Sequence, residues 1–62
     1  MTNYAKIDAK DYERAKDVVV EAGGSVEDFE TDDVIALGDE PERVERFLEI
    51  AKKKGLDVEL VG

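Results

Sequence analysis

Apolar side chains near the start of the chain fall on every second residue, and further along their spacing lengthens to that of a helix. Ala5 and Ile7 alternate with Tyr4, Lys6 and Asp8, the period of a half-buried strand, so residues 2–8 are expected to form one. Asp8 is then placed to cap a helix, with Asp11 three residues on. Tyr12, Ala15, Val18, Val19 and Ala22 recur on one helical face, while Val20 points away from it. Gly23 and Gly24 end the run, because glycine enters the left-handed C-cap conformation without a side-chain clash.

Val26 and Phe29 are the only large apolar residues between 25 and 30. Three apart, they suit a helical turn as well as a strand; the shortness of the segment favours a strand. Thr31-Asp32-Asp33 reads as a turn, and Val34-Ile35-Ala36-Leu37 as a short strand. Next come Asp39 as a cap, Pro41 in the first turn and Glu42 three residues after the cap, a strong helix start. Val44, Phe47, Leu48 and Ala51 form the buried stripe of this second helix, with Ile50 beside it. Glu42 with Arg46, and Glu49 with Lys53, are four apart in the favourable order. Lys52, Lys53 and Lys54 lie at the negative end of the helix dipole. Gly55 stops the helix, Leu56 folds back on it, and Val58 and Leu60 alternate with polar neighbours in a last strand, on the side expected to face the helices with Ala5, Ile7, Ile35 and Leu37.

The expected order is β-α-β-β-α-β in one domain, residues 1–62. Two amphipathic helices need one sheet face to cover, and right-handed crossovers place both on the same side of a four-stranded antiparallel sheet. This α+β layout resembles the ferredoxin-like α/β plait, which implies a strand order of 4-1-3-2. The run from Asp39 to Leu60 also resembles a de novo designed protein of that fold, with its capped start, Glu/Lys/Arg surface, glycine stop and directly following alternating strand. The first half departs from that style, since Val18-Val19-Val20 places β-branched residues within a helix.

Composition narrows the chemistry. The chain has no cysteine and no histidine, so it has no thiolate nucleophile and lacks the side chain that most often moves protons near neutral pH. Its one serine, Ser25, has no histidine to activate it. Members of the plait fold that bind RNA stack bases on sheet aromatics, and Val34-Ile35-Ala36-Leu37 carries none. Members that carry copper use a cysteine pair, which is absent. No cofactor is expected and the chain is read as non-enzymatic. Seventeen acids against nine bases give a net charge of −8, the wrong sign for direct contact with nucleic acid or an anionic membrane. No apolar run is long enough to span a bilayer. No basic-then-apolar leader opens the sequence, so a cytoplasmic setting is expected.

Two surfaces carry the remaining functional signal. From Asp17 to Glu42 there are ten acids and no base. Within that stretch Glu27, Asp28, Glu30, Asp32 and Asp33 form the candidate acidic interaction surface, suited to a basic protein that otherwise holds nucleic acid. The plainer reading is charge on an edge strand that blocks pairing with other chains. Asp28, Glu30 and Asp32 also have the alternate spacing of calcium-loop ligands, but the sixth position is Asp33, where that loop needs glycine; no metal site is assigned. The second surface is the sheet face turned from the helices, where Tyr4, Val34, Ala36 and Val61 are the candidates for a partner-contact patch; the plainer reading, which is favoured, is four scattered apolar residues of the kind soluble proteins expose. A monomer is expected, with a homodimer through this face as the alternative. The leading expectation is a non-enzymatic scaffold, designed or structural, with no native ligand. The alternative is an acidic interaction module or nucleic-acid mimic that meets a basic partner through residues 27–42.

Overall fold

The computed structural model describes residues 2–61; Met1 and Gly62, the ends of the expected domain, lie outside the described residues. Strand β1 (Asn3–Lys6) opens the chain. A 3-10 turn, Ala9–Asp11, leads into helix α1 (Tyr12–Glu21). A second 3-10 turn, Val26–Asp28, precedes strand β2 (Phe29–Thr31). Strand β3 (Val34–Gly38), helix α2 (Pro41–Lys53) and strand β4 (Glu59–Val61) complete it.

The four strands form one antiparallel sheet in the order β2-β3-β1-β4. Read from the other edge, that is the expected 4-1-3-2, the topology of the ferredoxin-like plait. Cross-strand register decides the two faces. Leu60, Ala5 and Ile35 stand in one row, and Phe29 continues it opposite Ile35. This row faces the helices. Val61, Tyr4 and Ala36 form the neighbouring row on the open face, and Glu59, Lys6 and Val34 form the next.

The core joins Ala5, Ile7, Ile35 and Leu37 of the sheet side to Ala15, Val18, Val19 and Ala22 of the first helical segment and Val44, Phe47 and Ala51 of α2. Burying these side chains is the main favourable term. Both helical stripes carry the faces their spacing gives, except that Leu48, expected in the buried stripe, is only partly buried and packs against the core like Ile50; Val20 is solvent-exposed as expected. Tyr12 is only half-buried; its ring meets Phe29 edge-on, with centroids 4.8 Å apart.

Each helix ends in a Schellman motif. The Gly24 N–H donates to the Val19 carbonyl and that of Gly23 to Val20; the Leu56 N–H donates to Ala51 and that of Gly55 to Lys52. Leu56 is thereby folded back and buried. Gly23 and Gly55 hold φ of +92° and +71°, the left-handed region where a Cβ is costly.

Several local expectations are corrected: β1 spans Asn3–Lys6 rather than 2–8, and β4 begins at Glu59, so Val58 precedes it. Asp8 caps the 3-10 turn by accepting from the Lys10 N–H at 3.1 Å, and α1 itself begins only at Tyr12. Residues 25–30 are mostly not strand: Ser25 starts a capped 3-10 turn and pairing begins at Phe29. At α2 the N-cap position falls to Glu40, whose side chain makes no capping bond, and Pro41 takes the first helical position. Leu60 lies on the helix side opposite Ala5 but is 47% exposed, because β4 is a sheet edge that the helical layer does not cover.

Candidate functional site

The acidic surface is built on the turn before β2 and the hairpin after it. Ser25 Oγ accepts from the Glu27 N–H at 3.1 Å, and the Asp28 carboxylate returns to the Ser25 N–H at 3.0 Å. This reciprocal capping box fixes the 3-10 turn. The same Oδ2 atom of Asp28 pairs with Arg43 Nη2 of α2 at 2.5 Å. The guanidinium and carboxylate side chains are 34% and 27% exposed, so the pair is half-withdrawn from water. Gly24 makes this approach possible, since a Cβ there would lie 2.6 Å from Asp28 Oδ2 and 2.8 Å from Arg43 Nη2.

Asp33 is likewise engaged locally. Its Oδ1 accepts from the Thr31 hydroxyl at 2.6 Å, and its backbone carbonyl accepts from the Ile7 N–H at 2.9 Å, tying the hairpin to the end of β1. Of the five acids, Glu27, Glu30 and Asp32 are exposed, while Asp28 and Asp33 are half-buried. The stretch has no base of its own, yet the fold supplies one in Arg43. Asp28 turns toward Ser25 and Arg43 rather than toward Glu30 and Asp32, so calcium-loop spacing does not become loop geometry. Among the described residues no three potential metal ligands gather in one group.

The open sheet face brings Tyr4, Ala36 and Val61 into one row, with Val34 in the next. Val61 is 48% exposed and the other three are half-buried. A shallow depression on this face is lined by Tyr4, Val34 and Val61 together with Lys6, Glu30 and Asp33. The two candidate surfaces therefore meet: Glu30 and Asp33 of the acidic set border the apolar patch. Sequence reasoning missed Lys6 and Glu59 as members of this face. The signal was present, because Lys6 shares the parity of Tyr4 and Glu59 that of Val61.

On the opposite layer, Lys16 Nζ lies 2.6 Å from Glu13 Oε2 and 5.2 Å from the Tyr12 ring centre. The bond to Glu13 raises the Lys16 amine above its ordinary range. This surface pair contributes to the fold below that range, and its contribution is lost as pH rises through the raised value.

The surplus of acids makes a salt prediction. Repulsion among exposed carboxylates is screened over about 8 Å at physiological ionic strength and over about 30 Å at 0.01 M. The melting temperature should fall between those two conditions, measured by circular dichroism. A flat response would mean that Arg43 and the surface lysines already neutralise the lobe.

Compared with protein-family models, with characterised proteins and with solved structures, the chain finds no match.

Proposed function

We propose that this chain is a non-enzymatic scaffold domain, of the idealised kind that protein design produces, which offers partners a surface rather than a reaction. The observation that carries this reading is the use made of Asp28. It is a half-enclosed acid, of the kind that could do chemistry, and it is committed to Ser25 and Arg43, where it joins the turn before β2 to α2. Asp33 is used in the same way within its hairpin. A general acid or base needs a perturbed carboxyl free to meet a substrate. Here the half-buried carboxyls are held by a backbone N–H and an arginine at Asp28 and by a threonine hydroxyl at Asp33 instead. A designed origin is supported by the second half of the fold, with Pro41 at the first helical position, lysines in the last turn of α2 and a glycine stop that seats Leu56.

The acidic interaction reading fits within this one, because a scaffold works through what it presents. Its specific support is the meeting of Glu30 and Asp33 with the open-face patch.

The test is native mass spectrometry of the chain purified from its expression host, with hydrolysis of p-nitrophenyl acetate and p-nitrophenyl phosphate assayed alongside. The bare chain mass and hydrolysis no faster than with heat-denatured chain are expected. A retained small molecule, or turnover that Asp28→Asn abolishes while the fold persists, would overturn the proposal.

A further inference from the structure

The open face of the sheet has an apolar floor and a charged rim, and the two together specify an occupant. The floor is the row Val61–Tyr4–Ala36 with Val34 beside it. Glu30 and Asp33 stand at one margin of the depression over this floor. Lys6 also lines the depression, and Glu59 on the β4 edge, outside its lining, stands directly opposite Lys6 in the register. Glu30 and Asp33 in the lining, with Glu59 next to Lys6 on the same face, thus set three acids against one base.

We propose that this face docks a basic amphipathic segment of a partner protein, its apolar side chains on Tyr4, Val34, Ala36 and Val61 and its lysines or arginines toward Glu30, Asp33 and Glu59. The inference rests on the scaffold reading and names the partner that the scaffold presents itself to.

Charge decides among the possible occupants. A second copy would bring two acid-rimmed faces together in chains of net charge −8, and like-charge juxtaposition opposes that association. Nucleic acid and anionic lipid fail for the same reason of sign. A basic partner gains from both parts of the face. Its cations are steered by the rim, and its apolar side chains cover a floor that is otherwise left to water. Exposed ion pairs alone are worth about 0–1 kcal/mol, so the rim needs the apolar floor beside it to hold a partner. Size agrees as well. A row across three strands spans about 10 Å at the usual strand spacing, and two turns of helix cover about 11 Å.

The experiment is a titration of the intact 15N-labelled chain with a Leu/Lys amphipathic peptide of about four helical turns, followed by amide shifts at physiological salt. A Leu/Glu peptide of the same pattern is the sign control. Shifts should concentrate at Tyr4, Glu30, Val34 and Ala36, and the Leu/Glu peptide should not bind. Ala36→Arg, which puts a cation on the floor, should weaken binding on the order of tenfold, a change of about 1.4 kcal/mol. Glu30→Gln, at an exposed position, should weaken it about threefold with the fold intact and so stands independently of any misfolding of Ala36→Arg. Glu45→Gln on α2 should leave it unchanged. Shifts confined to the helical layer, equal binding of both peptides, no binding of the Leu/Lys peptide, or binding insensitive to both open-face variants would each overturn the proposal. So would a dimer in sedimentation that buries Tyr4. None of these outcomes bears on catalysis, so the scaffold reading stands or falls separately on the turnover assay.

Discussion

Phe47→Ala is expected to leave the chain largely unfolded at 25 °C without denaturant. Phe47 is 1% exposed and heads the largest fully buried side chains, followed by Ile35, Val18 and Val19. Several of its core companions are small: Ala5, Ala15, Ala22 and Ala51. They let the two helices approach the sheet, and they leave Phe47 as the largest fully buried side chain between the layers. Removing that ring forfeits the transfer free energy and opens a cavity that alanines cannot refill, a loss of about 3–5 kcal/mol. A single core of this size supplies about 3–5 kcal/mol of net stability, so the loss matches the whole. Urea unfolding followed by far-ultraviolet circular dichroism should show no native baseline for this variant. Phe47→Leu, which keeps part of the volume, should retain one with a lowered midpoint. Val20→Ala lies on the exposed side of α1 at 56% exposure and should stay within about 0.5 kcal/mol of the parent. A Phe47→Ala chain that unfolds near the parent midpoint would mean that α2 is not seated on the sheet by this face.

What the sequence made legible, and what it hid, divide along one physical line. Periodic burial was readable because its cause repeats within a few residues. The stripes on α1 and α2 and the alternation of β1 and β3 predict the faces these elements bury, and those faces fix the layer order and the strand order. Features settled by contacts distant in sequence were not readable in the same way. Leu60 has the parity of a core residue, but its exposure depends on how far the helical layer reaches over the edge strand. The turn at Val26–Asp28 is held by a capping box whose acid also reaches Arg43, fifteen residues on; no window around Val26 contains that partner. The candidate site behaved alike. Parity alone assigned Tyr4, Val34, Ala36 and Val61 to the open face. That Glu30 and Asp33 share a depression with three of them follows from the pairing of β2 with β3 and the register shift between Phe29 and Thr31.

Gly24→Ala should destabilise the fold by about 0.5–2 kcal/mol, the usual cost of losing an N-cap, because the new methyl displaces the side-chain ends of Asp28 and Arg43 that hold the turn. The sign is informative, because the opposite is the ordinary expectation. Gly24 does not hold a positive φ; among the described residues only Gly23, Gly38 and Gly55 do. Replacing glycine by alanine where the backbone is compatible normally stabilises by about 0.4–1 kcal/mol through the unfolded state. Here the new methyl would lie 2.6 Å from Asp28 Oδ2, 2.8 Å from Arg43 Nη2 and 3.0 Å from Val19 Cγ1. Val19 is in the core, so the charged pair must give way, and moving Asp28 also releases the Ser25 N–H from its cap. The neighbouring glycine fails for a different reason. A Cβ at Gly23 would meet nothing within 4 Å, yet φ of +92° makes Gly23→Ala cost about 1–2 kcal/mol in backbone conformation alone. A double-mutant cycle separates the two mechanisms. In an Asp28→Ala, Arg43→Ala background the penalty of Gly24→Ala should shrink to the residual contact with Val19, while that of Gly23→Ala should be unchanged. Equal penalties for Gly24→Ala in both backgrounds would show that the pair does not occupy the space above Gly24, and the link from the turn to α2 would have to be drawn elsewhere.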